Sequence, residues 1–107
     1  PGTRKMHSKD IVVIPGGMRA FVKERERSVT KNELKMLIFF LQNPKQILSK
    51  TQLLENVFDL DGDCMDENTV AVNIRRLREK IGEDPAAPGY IKNIRGLGYK
   101  WNQEVSQ

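Results

Sequence analysis

A chain of 107 residues is one domain's worth of sequence, with room for a modest core that needs no covalent staples. Its 18 Lys and Arg outnumber 14 Asp and Glu for a formal charge of +4, and 38% hydrophobic residues is too many for a disordered chain. One cysteine, Cys64, excludes an intramolecular disulfide; with no apolar run of membrane-spanning length and no signal-like start, a reducing, cytoplasmic setting is expected.

Residues 1–10 are polar and basic and read as a linker or an edge strand, leaving 11–107 as the domain. Residues 11–14 (Ile-Val-Val-Ile), 20–23 (Ala-Phe-Val-Lys) and 27–29 (Arg-Ser-Val) are short β-prone runs. Pro15-Gly16-Gly17 and the charged turn Glu24-Arg25-Glu26 separate them, so an antiparallel sheet is expected. Thr30-Lys-Asn-Glu33 then has the spacing of a capping box. A helix follows to about Asn43, buried on most sides because Met36, Phe39 and Phe40 widen the stripe of Leu34, Leu37, Ile38 and Leu41. Pro44 stops it.

Gln46-Ile-Leu48 is a short extended candidate, and Ser49-Lys-Thr-Gln52 repeats the capping-box spacing ahead of a second helix carrying Leu53, Leu54, Val57 and Phe58. Residues 59–66 form an acidic loop, and Asp66 can cap a third helix from Glu67 to Ile81. Val70, Ile74, Leu77 and Ile81 recur at four, three and four residues and make one core-seeking stripe. Asn68, Thr69, Val72, Asn73, Arg76 and Lys80 fall on the other side, an amphipathic, basic shape that a DNA major groove admits. Gly82 ends this helix. Residues 90–94 and 99–101 then close the chain as a hairpin through Arg95-Gly-Leu-Gly98.

Charge is unevenly spread. Residues 68–100 hold seven bases and three acids, whereas residues 55–67 hold six acids and no base. A basic surface beside an acidic segment suggests nucleic acid for one and a protein for the other. Other chemistry finds little support. His7 is the only histidine, so neither a metal cluster nor a His-based dyad can be built, and no carboxylate pair stands out; neither catalysis nor a cofactor is expected. Asp59-Leu-Asp-Gly-Asp63 fails as a calcium loop, with glycine at the fourth place and Val70 where a bidentate glutamate belongs. Gly96 and Gly98 fail as a nucleotide fingerprint, because Trp101 takes the third glycine's place and no helix follows.

The order of elements is an α+β winged helix-turn-helix: N-terminal antiparallel sheet, three helices, C-terminal β-hairpin wing. The pattern Thr-Val-x-Val-x-Ile-Arg-Arg-Leu-Arg-x-Lys over residues 69–80, followed by Ile-Arg-Gly-x-Gly-Tyr over 94–99, closely resembles the OmpR/PhoB-type effector domain of bacterial two-component response regulators. The resemblance spans about Ile11 to Trp101. It implies sequence-specific binding to double-stranded DNA, with the third helix in the major groove and the wing in the minor groove.

Residue by residue, the resemblance makes Arg76 a base reader beside Asn68, Val72 and Asn73. The chemistry agrees, since guanidinium suits guanine, an amide suits adenine and an isopropyl group suits a thymine methyl. Val72 alternatively packs beneath a neighbour. Thr69, Arg75, Arg78 and Lys80 suit phosphates, unless Arg78 pairs instead with Glu79 or with an acid outside the helix. Arg95 matches the wing arginine of the minor groove. Asn93 and Tyr99 match backbone-contacting wing positions, although Tyr99 reads equally as a half-buried sheet residue. The loop carrying Asp59, Asp61, Asp63 and Asp66 matches a segment that touches RNA polymerase in the family; the competing reading is a solvated loop. The family further implies a receiver domain acted on by a sensor kinase, absent from these residues, and two copies bound head to tail on direct-repeat promoter sites. A winged-helix protein-interaction module and shape-driven RNA binding are the rival readings.

Overall fold

The computed structural model describes residues 5–57, 67–83, 86 and 89–106. Alternation builds the first sheet. β1 (Met6–Ser8), β2 (Ile11–Ile14), β3 (Arg19–Val22) and β4 (Arg25–Arg27) pair antiparallel in sequence order. Met6, Ser8, Ile11, Val13, Ala20 and Val22 face the core, while β4 is exposed throughout. The last strand therefore sits two residues earlier than the expected 27–29, and the turn is Lys23-Glu24 rather than Glu24-Arg25-Glu26. Val22 pairs with Arg25, and both turn residues have positive φ, 51° and 68°. A two-residue turn of this hand follows the sheet's own twist, which outweighs the absence of glycine. Val29 packs against the core from beyond the strand.

Both capping boxes form. Thr30 Oγ accepts from the Glu33 amide at 3.1 Å, and the Glu33 carboxylate accepts from the Thr30 amide at 2.9 Å, opening α1 (Lys31–Gln42). Ser49 and Gln52 exchange the equivalent bonds at 3.0 and 2.8 Å ahead of α2 (Lys50–Val57). α1 buries Leu34, Met36, Leu37, Phe40 and Leu41 and packs against α2, α3 (Glu67–Lys80) and the last strand. Val70, Ile74, Leu77 and Ile81 are all buried, as their spacing requires. Gly82, at φ +76°, ends α3 in the conformation glycine adopts at least cost.

The short strand β5 (Ile47–Leu48) joins the hairpin of β6 (Ile91–Ile94) and β7 (Gly98–Trp101) in a three-stranded sheet with β7 at its centre. Gly98 is obligatory there: a Cβ at this position would lie 2.1 Å from the Leu48 carbonyl oxygen. Trp101, fully buried, ties the two ends of the chain together. Its ring lies near Phe40 and Tyr90, with centroids 6.2 and 5.3 Å away. Its indole N–H donates to Ser8 Oγ at 2.8 Å, and Ser8 in turn donates to the Glu104 carbonyl. His7 and Ser106 close the circuit with paired backbone bonds. The wing thus rests on the same core as the helices.

Candidate nucleic-acid interface

The buried stripe of α3 turns its opposite face outward. Asn68, Arg75 and Arg76 are exposed and Thr69 and Val72 half-buried. Among the described residues Arg75 and Arg76 have no ion-pair partner. Asn73 lies deeper than its amphipathic position suggests, 8% exposed, and its side-chain amide donates to the Thr69 carbonyl at 2.8 Å. One of its two N–H donors is thus engaged within its own helix.

The last turn of α3 is differently employed. Arg78 Nε donates to Glu83 Oε2 at 3.1 Å, and its terminal nitrogen donates to the Ile91 carbonyl at 2.7 Å and to Asn93 Oδ1 at 2.6 Å. Glu83 has a wholly buried side chain whose other oxygen accepts the backbone amides of Tyr90 and Ile91. Of the two partners open to Arg78, the structure selects the acid outside the helix. Lys80 donates at 2.6 Å to Glu33, which is 1% exposed. Burial is the strongest single influence on Glu33 and pushes its carboxyl up, but hydrogen bonds from Lys80 and Thr30, with the Lys80 charge, together hold it below its ordinary value. Both cations reinforce the fold: Arg78 ties α3 to β6, and Lys80 ties α3 to the start of α1.

The wing carries Arg95 and Leu97 at its exposed tip, with Leu97 59% exposed. Asn93 is exposed beside Arg78, whereas Tyr99, a sheet residue, is 7% exposed and part of the core, deeper than the half-buried position expected. Lys92 stands directly opposite Lys100 across β6 and β7, a like-charge pair that costs stability by itself and adds two cations to the hairpin. Between the start of α2 and the wing runs a groove of about 430 Å³, with Ser49, Lys50 and Thr51 on one wall and residues 93–99 on the other. Sequence reasoning missed Glu83, Glu33–Lys80, the paired lysines and this groove. All four depend on which elements meet. Asp59, Asp61, Asp63, Asp66 and Cys64 lie outside the described residues. Among the described residues no helix is long and apolar enough to cross a membrane.

A helix docked by one stripe, with arginines on its other face and a cationic hairpin fastened to its end, defines a winged-helix DNA-binding domain of the transcription-regulator class. The family model described as "Transcriptional regulatory protein, C terminal" matches residues 24–101. The chain belongs to this family, the OmpR/PhoB-type DNA-binding domains of response regulators. A probable transcriptional regulatory protein of Picosynechococcus sp. is 39% identical over 93 residues, covering 87% of this chain and 37% of that protein. The chain therefore spans little more than a third of that relative. Response regulator DrrB of Thermotoga maritima, an OmpR/PhoB homologue, superposes with a TM-score of 0.80 at 28% identity, over 91% of this chain and 44% of that one. The Klebsiella pneumoniae RstA DNA-binding domain, solved in complex with the RstA box, superposes with a TM-score of 0.81 at 24% identity, over 92% of this chain and 97% of that one. The class of function is that of the family, DNA binding in the regulation of transcription.

Proposed function

We propose that α3 enters the major groove with Arg76 as principal base reader and Asn68, Val72 and Asn73 beside it. Arg75 and Thr69 grip phosphates, and Arg95 lies in the minor groove, whose narrow form attracts cations. Lys50, Lys92 and Lys100 add a cationic border along which a phosphate backbone can run. One observation carries this reading: the exposed arginines of α3 and the Arg95 hairpin are held together through Arg78, so a single duplex can meet both. Arg78 and Lys80 are assigned to the fold rather than to phosphates.

The remaining features of the reading rest on family membership. Two copies bind direct repeats, about one helical turn apart so that both reach one side of the duplex. The acidic loop at Asp59, Asp61, Asp63 and Asp66 meets RNA polymerase, and phosphorylation of a receiver domain supplies regulation. The domain works in the cytoplasm and catalyses no reaction. Binding should be tested by selection from a random duplex library, then titration of the selected duplex, random duplex and duplex RNA at two salt concentrations. The expected result is a selected-to-random ratio of about 10³ or more over a salt-dependent background. No ratio on any nucleic acid would leave the protein-interaction module as the better reading.

A further inference from the structure

The Arg78–Glu83 pair does more than fill a gap in the core. Glu83 stands three residues beyond the end of α3, and its buried carboxylate accepts the amides of Tyr90 and Ile91 at the very start of β6. Arg78, one helical turn beyond Arg75 and half a turn beyond Arg76, grips that same carboxylate, the Ile91 carbonyl and the Asn93 side chain. The fork of a guanidinium allows these bonds to run in one plane, which a lysine cannot reproduce. Beyond Asn93, only Ile94 separates this anchorage from Arg95 at the wing tip. Beside the core they share, the groove-facing side of α3 and the wing are therefore linked directly by a few charge-assisted hydrogen bonds.

We propose that Arg78 and Glu83 are positioning residues that set the wing against the recognition helix, so that Arg95 reaches the minor groove while Arg76 is seated in the major groove. This deepens the DNA-binding reading and rests on it. The pair contributes to affinity through Arg95, not through a phosphate contact of its own. Two variants loosen the connection in different ways. Glu83→Gln keeps an oxygen for the Tyr90 and Ile91 amides but loses the charge that holds Arg78. Arg78→Lys keeps a charge but loses the fork.

The test is a double-mutant cycle on a duplex selected by the wild-type chain from a random library, with circular dichroism confirming that each variant is folded at the binding temperature. In the wild-type background Arg95→Ala should weaken binding by about tenfold. In the Glu83→Gln and Arg78→Lys backgrounds the same change should weaken it less than about twofold, because the wing no longer reaches its site. Arg76→Ala, by contrast, should cost nearly the same in all three backgrounds. A role confined to stability would leave the Arg95 effect at full size in every folded variant, and that result would overturn the inference. Should one variant fail to fold, the other decides. A wild-type chain showing no preference for the selected over random duplex would instead bring down the DNA-binding reading, and this inference with it.

Discussion

Four cations of one helix have two employments. Arg75 and Arg76 are exposed on α3, while Arg78 and Lys80, a turn further along, are claimed by buried carboxylates on other elements. Nothing in the run Arg-Arg-Leu-Arg-Glu-Lys separates them by residue type or by spacing. What separates them is the neighbourhood: α3 ends where β6 and the start of α1 converge, and there a carboxylate has already lost its water. A buried Glu83 or Glu33 without its cation would be an uncompensated charge. A cation withdrawn from Arg75 or Arg76 leaves no such debt. The basic character of a recognition helix therefore overstates the charge it can offer to DNA.

The largest consequence of this division falls on stability. Glu83→Ala strips partners from Arg78 and from two buried amides, and should cost about 3–5 kcal/mol in chemical denaturation. Arg75→Ala and Arg76→Ala should each stay within about 0.5 kcal/mol of wild type, as exposed substitutions do. Binding should invert that order. Arg76→Ala should cost about 1–3 kcal/mol on the selected duplex and relax preference at one base pair, whereas Arg75→Ala should weaken selected and random duplexes alike. Equal losses on both duplexes for Arg76→Ala would remove it as a reader.

A smaller effect sharpens the comparison through pH. The Glu33 carboxyl titrates below its ordinary value of 4.5 in the folded chain, so its contribution is present above that pH and is lost as the pH falls through the lower, folded value. With Lys80 a third exposed, the contribution belongs at the lower end of the 1.5–3 kcal/mol typical of hydrogen bonds to charged groups, about 1.5 kcal/mol. Melting curves should accordingly show wild type above Glu33→Gln near neutral pH, with the gap closing on acidification below about 4.5. A gap that is constant with pH would mean that the carboxylate's charge contributes nothing.

Much of the fold could be read from local chemistry. The capping boxes at Thr30 and Ser49, the stripe of α3 and the stop at Gly82 are short-range features, decided within a few residues of where they act. The class of site was legible for the same reason, since the exposed face of α3 is set by helical period alone. The occupancy of individual side chains was not. Glu83 follows the helix-ending Gly82 in a stretch that reads as loop, and nothing in its spacing announces a buried carboxylate. Its partners lie seven and eight residues ahead and five behind. Asn73 sits on the expected face yet bonds its own helix, because a short amide can reach the carbonyl one turn back. The β4 shift follows from a turn at Lys23-Glu24 that only the twist of the paired strands favours. Leu48 against Gly98 and Lys92 against Lys100 depend on register, which residue types do not encode.

The division of the cations is tested most directly by the salt dependence of binding to random duplex, measured for wild type, Arg75→Gln and Lys80→Gln under conditions where all three are folded. Each phosphate contact contributes about 0.9 to the slope of log affinity against log salt. Arg75→Gln should lower the slope by about that amount, and Lys80→Gln should leave it unchanged while lowering stability. A slope reduced equally by Lys80→Gln would contradict that division, placing the Lys80 ammonium on the DNA rather than on Glu33.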